Sequence, residues 1–438
     1  MLFRPALILA AAASCLAATP AGAEGLNLSG STRIRGEWLS GEYRPAMPDS
    51  DQFISFRTDL LAELDLGAVK LVGEVIDARG YAENRVTPVR TLEINAIEPV
   101  QAYAAIRTGA GGTVTLGKFT MDIGSSRLVG RTDFPNGVPS YGGAMFDWRD
   151  ASHRLRLFWT HPFTALPDDM QGIRDNRVEL DRMANNIAFF GGSATFDRAP
   201  GGASLELYAY RLAEHDRTLR PTRGRRLVTL GGRLRRAPAA NLIDYEVEGA
   251  WQGGSTRLSA APGPRVPVRA GFFHAEAGWT SGAGWRPRAS AMFDYASGDG
   301  GDSTSYGRFD ALYGARRLDF GPLSLFGPIG RANVLSPGIR LEAAPSKRLD
   351  LMAAVRPTWL ARATDSFALT GLRDPAGRSG RYGGTQTEVR ARRWLVPGKL
   401  RLELVGAWLA KGGFLRRAPG APDNGDTHYL LTEASYSF

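Results

Sequence analysis

The chain ends Thr427-His428-Tyr429-Leu430-Leu431-Thr432-Glu433-Ala434-Ser435-Tyr436-Ser437-Phe438. Leu430, Thr432, Ala434, Tyr436 and Phe438 share one parity, and Leu431, Glu433, Ser435 and Ser437 share the other. A period of two, apolar and aromatic on one side and polar on the other, predicts a β-strand with one face toward hydrocarbon and one toward water. Such a strand cannot cross a bilayer alone. Each unpaired backbone N–H or C=O in hydrocarbon costs several kcal/mol, so the sheet it belongs to must close on itself.

At the other end, Arg4, an apolar run from Ala6 to Leu16 and the small-residue site Ala21-Gly22-Ala23 read as a cleavable secretory signal over residues 1–23. Residues 24–438 are then the barrel. Cys15 is the one cysteine and lies inside the signal, so the remaining chain has neither a disulfide framework nor a thiolate metal site. Cleavage ahead of Cys15 as a lipoprotein is the alternative, but Ala12-Ala13-Ser14 is a weak lipobox. Beyond the signal no apolar run reaches the ~18 residues a transmembrane helix needs. No linker or composition break divides the chain either.

Alternation recurs along the whole length. Leu26 to Trp38 sets Leu26, Leu28, Gly30, Thr32, Ile34 and Trp38 against Asn27, Ser29, Ser31, Arg33, Arg35 and Glu37, and Gln52 to Leu66 repeats the pattern. Counting such segments gives an all-β fold: a single transmembrane antiparallel β-barrel of eighteen strands. Sixteen is the alternative count, because strands five, six and eight alternate least clearly. Connections after even strands are short, as at Gly67-Ala68 and Asp150-Ala151-Ser152, whereas those after odd strands are long and polar. Bacterial outer-membrane barrels show this rhythm, with short periplasmic turns and long extracellular loops. Trp38, Trp251, Trp279, Trp359, Trp408, Tyr295 and Tyr436 fall on the outward parity and suit interfacial girdles.

Function must then lie in the lumen. Of 54 basic residues only Lys70, Lys118, Lys347, Lys399 and Lys411 are lysine. Closure of the last strand on the first would bring Arg356, Arg390, Arg392, Arg401, Arg33, Arg35, Arg57 and Arg79 into one arc, and Arg340 is a further inward arginine that would line the pore. Asp244, Glu246, Glu248 and Glu276 would stand roughly opposite, and Asp77 and Asp294 are further inward acids. A pore narrower than about two Debye lengths of ~8 Å is not screened across its width, so anions would feel the arginine wall throughout transit. The bland alternative is that lumen arginines and acids pair to rigidify the barrel.

Several stretches resemble the alginate export family of outer-membrane barrels. They are Phe293-Asp294-Tyr295-Ala296-Ser297-Gly298-Asp299, Phe309-Asp310-Ala311-Leu312-Tyr313-Gly314, Val75-Ile76-Asp77-Ala78-Arg79, Leu116-Gly117-Lys118 with Ser126-Arg127-Leu128-Val129-Gly130, and Gly338-Ile339-Arg340-Leu341. The resemblance implies a monomeric eighteen-stranded barrel whose arginine-rich lumen conducts an anionic polyuronate, acids contributing to the constriction. It gives transport roles to the inward arginines and to Asp77 and Asp294. Lys118 departs from the family, where arginine is more usual. Tyr436 and Phe438 likewise resemble the outer-membrane sorting signal, which implies the barrel assembly machinery as a partner.

The expectation is therefore a bacterial outer-membrane channel that passively conducts an anionic polysaccharide or oligosaccharide. No cofactor, metal or nucleic acid is expected. A less selective porin or structural barrel is the alternative, and a hydrolase built on Ser152-His153 trails because no third member is evident. Arg217, Arg220, Arg223, Arg225 and Arg226 lie on an outer loop, where lipopolysaccharide phosphates are the plainer partner.

Overall fold

Alternating side chains become a closed ladder. The computed structural model describes residues 25–132, 134–217 and 220–438; the signal expected over 1–23 lies outside them. The barrel strands are β1 (Leu26–Ser40), β2 (Ser50–Asp65), β3 (Val69–Tyr81), β4 (Asn95–Gly109), β5 (Gly112–Phe119), β6 (Tyr141–Arg149), β7 (His153–Thr164), β8 (Ile187–Ala199) and β9 (Ala203–Glu214). They continue as β10 (Arg226–Arg236), β11 (Ile243–Thr256), β12 (Val266–Thr280), β13 (Arg288–Ala296), β14 (Val334–Ser346), β15 (Leu349–Trp359), β16 (Tyr382–Val396), β17 (Leu400–Lys411) and β18 (Thr427–Ser437). Each pairs antiparallel with its neighbours in the chain, and β18 pairs with β1, so eighteen strands close one barrel. The two-residue segment Arg182–Met183 only bridges onto the end of β7. Strands five, six and eight, the weakest on alternation, are all present, which removes the sixteen-strand alternative.

The seam is sealed on both faces. Outside, the ladder runs to the last residue: Phe438 N–H donates to Gly30 O at 3.0 Å, and Gly30 N–H donates to Phe438 O at 3.1 Å. A Cβ on Gly30 would fall 2.7 Å from Phe438 Cζ, so a glycine lets the terminal ring lie across β1. Inside, Arg35 of β1 stands opposite Glu433 of β18. Its Nε and Nη2 donate to Glu433 Oε2 at 3.0 and 2.8 Å.

Outward side chains form an apolar surface, and Trp38, Trp251, Trp279, Trp408 and Tyr295 are each more than a third exposed on it. The inner face departs from the expected wet wall. At the long-loop end Leu39, Phe53, Leu409, Tyr429 and Leu431 pack with Leu325 and Phe326 of the 297–333 connection. Across the barrel, Phe158, Phe189, Tyr210 and Phe272 pack with Ile123 and Val129 of the 120–140 connection and with Phe309 and Phe320. Two long connections thus fold into the lumen, because burying their apolar side chains against the wall gains roughly 25 cal/mol per Å². They also bind each other: Tyr313 N–H donates to Leu128 O at 3.0 Å and Ala315 N–H to Ser126 O at 2.7 Å. Among the described residues three short α-helices, α1 (Met170–Arg174), α2 (Arg317–Phe320) and α3 (Gly413–Arg417), all lie in connections, and Phe320 of α2 joins the second of these clusters.

Candidate functional site

The two inward connections meet at one buried carboxylate. Asp319 on α2 receives both arms of Arg127, from Nε at 2.9 Å and from Nη2 at 3.0 Å, and also Arg331 Nη2. Burial pushes this carboxyl up, but Arg127 and Arg331 outweigh it and hold it well below the usual carboxylate range. Arg127 Nη1 continues to the wall, donating to Glu248 Oε2 at 2.7 Å and to Glu246. Beside them His274 Nδ1 lies 2.8 Å from Asp294 Oδ1, and Arg356 Nη1 donates to Asp294 Oδ2 at 2.7 Å. His274, Asp294 and Asp319 each bring a ligand atom within 4.8 Å of the others. Arg127, Arg331 and Arg356 already occupy those carboxylates, and three guanidinium charges would repel a cation, so the donor set does not fit a metal.

The arginines of the expected arc occupy one side of the barrel. Hydrogen-bonded registers place Trp394, Arg401, Ser435, Arg33 and Arg57 in one row, and Asp350, Arg392, Glu403, Glu433 and Arg35 in the next. Carboxylates on this side are shared. Glu433 serves Arg33 at 3.8 Å, Arg35 at 2.8 Å and Arg401 at 3.7 Å. Asp350 serves Arg392 at 2.9 Å and Arg390 at 3.8 Å. Opposite, sharing runs both ways: Arg288 serves Asp244, Glu276 and Glu342 at 2.5, 2.8 and 2.8 Å, while Glu246 serves Arg127, Arg233 at 2.8 Å and Arg235 at 3.7 Å. Arg340 lies between the two sides, 3.4 Å from Glu276.

Two residues of the expected site are elsewhere. Arg79 stands opposite Phe56 and Asp77 opposite Thr58, both on the outer face, and Arg79 Nε donates to Asp77 Oδ1 at 2.9 Å. The inward residues beside them are Ile76 and Ala78, which pack with Val100 and with Val138 of the inward connection. Because the loop makes the inner face apolar there, the charged pair turns outward, and neither Asp77 nor Arg79 lines the pore.

Three arc arginines also hold the loop. Arg33 Nη2 donates to Asn136 Oδ1 at 2.7 Å and to Phe134 O at 3.2 Å, and Arg57 Nη1 donates to Pro135 O at 3.3 Å. The guanidinium carbons of Arg35 and Arg317 lie 4.1 and 4.4 Å from the Phe134 ring centroid. Spacing alone could not reveal these contacts. The signal that could have done so is composition: Leu128, Val129, Phe134 and Val138 are too apolar for a connection lying in water.

The space left over is divided. A cavity of about 290 Å³ between α2 and the wall is lined by Arg317, Arg340, Arg356, Arg390 and Arg392 against Asp319, Glu342 and Glu388. A second, also about 290 Å³, has Arg33, Arg57, Arg131 and Arg401 against Asp59 and Glu433. A third, of about 510 Å³, has Arg149, Arg154, Arg156, Arg233 and Arg235 against Asp122, Asp147 and Glu206. Arginines outnumber carboxylates in each.

Glu93, on the 82–94 connection, supplies a pH dependence. It is 2% exposed, and its Oε2 has no hydrogen-bond partner among the described residues. Burial, followed by the charge of Glu37, pushes its carboxyl up to about 8, against the pull of Arg35 and Arg33. A carboxyl raised in the folded state binds more protons there than when released, so docking of this connection weakens as pH rises from ~4.3 toward 8. Open-channel current noise should grow over that window in the native protein and stay flat in Glu93→Gln. An equal rise in both would remove Glu93 from the account.

The remaining candidates are spent structurally. Asp150 caps its own turn, accepting from Ser152 and His153 N–H at 2.7 Å each and lying 3.0 Å from His153 Nδ1. Among the described residues no hydrogen bond joins the Ser152 hydroxyl to His153. Arg225 donates to Glu214 and Asp310 at 2.6 Å each, and Arg223 donates to Arg257 O at 2.9 Å and Tyr306 Oη at 3.0 Å, so both pack loops together.

Known proteins resemble this architecture. The barrel superposes on the outer membrane protein OpdK of Pseudomonas aeruginosa with a TM-score of 0.60 at 12% identity, covering 94% of this chain and 99% of that one. OpdK crystallised with vanillate gives 0.59 at 13% identity, covering 94% and 98%. OccAB2 of Acinetobacter baumannii gives 0.61 at 12% identity, covering 95% and 98%. No curated protein sequence matches the chain. The sequence profile of the alginate export family does, over residues 25–426. The protein belongs to the alginate export family and is a channel of the bacterial outer membrane.

Proposed function

We propose that the channel passively conducts carboxylated saccharides, alginate-like uronates, along the arginine-rich side of its lumen. The observation that carries this is the arginine excess where the side chains are solvated: Arg390 and Arg392 share one Asp350, and Arg401, 30% exposed, reaches Glu433 only at 3.7 Å. Sharing Asp350 leaves part of the charge of Arg390 and Arg392 uncompensated, and a planar guanidinium can take a carboxylate bidentately. Solvated pairs of this kind are worth only ~0 to 1 kcal/mol, so a substrate is handed on rather than held.

The inward loops favour short uronates over an extended polymer, since a long chain would have to displace them. The vanillate complex of OpdK supports the wider class of ring-bearing carboxylates. Nothing in this reading requires bond-making chemistry, so the protein acts as a conduit and not as an enzyme. It would work as a monomer, take its place through the assembly machinery that reads Tyr436 and Phe438, and sit among lipid and lipopolysaccharide. In a planar bilayer, the reconstituted channel should pass chloride in preference to potassium, and added oligouronate should interrupt the current. A current indifferent to oligouronate would leave the less selective porin as the better account.

A further inference from the structure

The outer wall is charged in one place where apolar side chains would suffice. At the long-loop ends of their strands, Arg211 of β9, Arg226 of β10 and Arg269 of β12 share the outward parity with the lipid-facing Leu207, Leu230 and Phe273. All three arginines are exposed, and none makes a side-chain hydrogen bond or ion pair among the described residues. Every acid of these strands, Glu206, Glu214, Asp244, Glu246, Glu248 and Glu276, has the inward parity. The outward positions of β9 to β12, all among the described residues, are left without a carboxylate. Arg79 on β3 also points outward, but it carries its own Asp77. Snorkelling lifts an arginine head toward water and limits its cost beside hydrocarbon, yet supplies no counter-charge. Register adds a shape to the charge. Arg211, Val228, Gly253 and Arg269 stand in one hydrogen-bonded row, and Arg226, the first residue of β10, lies one outward position nearer the loops, opposite Ser255. Three strand spacings of ~4.8 Å put Arg211 and Arg269 about 14 Å apart. Between them lies Trp251, 54% exposed, with its indole laid over Gly253: a Cβ on that glycine would fall 2.3 Å from Trp251 Cη2.

From this we infer that the patch is a binding site for lipid A, the acylated disaccharide with a phosphate at each end that anchors lipopolysaccharide in the outer leaflet. Arg211 and Arg226 are diagonal neighbours on adjacent strands, near enough for two long side chains to share one phosphate. Arg269, across the indole, takes the other. A guanidinium fork suits phosphate because two N–H groups meet two oxygens at once. The indole of Trp251 supports the disaccharide between the phosphates and marks the level at which the acyl chains enter hydrocarbon. A phospholipid with a single phosphate would satisfy one end of the patch only, and an uncharged lipid neither. A second copy of this chain packed by two-fold symmetry through the same strands would set arginine against arginine. Arg226 was expected on the outer loop; its place at the start of β10 is what brings it onto the wall.

This site rests on the placement among lipopolysaccharide proposed above and not on the conduit, so the two can fail separately. The purified full-length channel in detergent is titrated with lipid A, with lipid A stripped of its phosphates and with phosphatidylglycerol, and bound lipid is counted by native mass spectrometry. The native protein should hold lipid A more tightly than either of the other two. The triple variant Arg211→Gln, Arg226→Gln, Arg269→Gln should bind lipid A about tenfold more weakly, level with the dephosphorylated form. Arg79→Gln, on the outer face of β3, should bind lipid A as the native protein does. The conductance of the triple variant should match the native value, which separates a lost site from a lost fold. Lipid A bound equally by native protein and triple variant, or no more tightly than phosphatidylglycerol, would overturn the site. A native dimer that the triple variant dissociates would put a second copy on this face in place of the lipid. If lipid A binds as described while the native channel lacks chloride preference, the site stands and the conduit fails.

Discussion

Asp319→Ala should open the channel. The substitution leaves Arg127 and Arg331 buried without their shared partner, and breaking a buried ion pair on one side costs ~3–5 kcal/mol. That carboxylate joins the 120–140 connection, the 297–333 connection and, through Arg127, the wall at Glu246 and Glu248. Its loss should release the inward loops without unfolding a barrel whose strands pair independently of it. Single-channel conductance should rise several-fold, and protease should cut the 297–333 connection in intact reconstituted protein. Asp319→Asn, which keeps the shape and loses the charge, should fall between. Unchanged conductance together with unchanged protection would show that the loops are held by their apolar contacts alone.

Arg35→Ala should weaken the barrel at its seam. The Arg35 side chain is 1% exposed, and the substitution would leave Glu37 without its arginine and Glu433 with Arg33 and Arg401 only at 3.8 and 3.7 Å inside the closure between β1 and β18. A penalty of ~3–5 kcal/mol is expected, visible as a lower temperature for the loss of the compact band on unboiled gels. Arg401→Ala removes another partner of the same Glu433, but its side chain is 30% exposed and the pair spans 3.7 Å. Its cost should stay near ~0–1 kcal/mol. Equal effects of the two would mean that the seam is held by the backbone ladder and that the buried pair adds nothing.

The wall was legible in the sequence because its determinant is local. A period of two and the rhythm of short and long connections reflect the pleat and the two sides of a membrane, and all eighteen strands follow from them. Closure of β18 on β1 also follows, since it is topologically forced once the sheet must have no edge. The loops inside were not legible. Phe158, Tyr210 and Phe272 sit on the inward parity, where a water-filled pore would carry polar side chains, and their partners lie in connections distant in sequence. The same blindness misplaced Asp77 and Arg79. Taking Asp77 and Arg79 as inward left out Ile76 and Ala78, which pack with Val100 and Val138 on the inner face. Of the site itself, the alignment of Arg33, Arg57, Arg390, Arg392 and Arg401 followed from strand order. Arg127, Arg317, Asp319 and Arg331 did not, because their roles depend on where two long connections fold.

The central claim is that one side of the lumen selects for anions through arginines that outnumber their carboxylate partners. The measurement that meets it most directly is the reversal potential across a potassium chloride gradient, for the native channel and for the double variant Arg390→Ala, Arg392→Ala. The account predicts a potential of the sign set by chloride in the native protein, reduced toward zero in the double variant and reduced further by salt, which screens exposed charge. A native channel that favours potassium, or a chloride preference untouched by loss of both arginines, would contradict it.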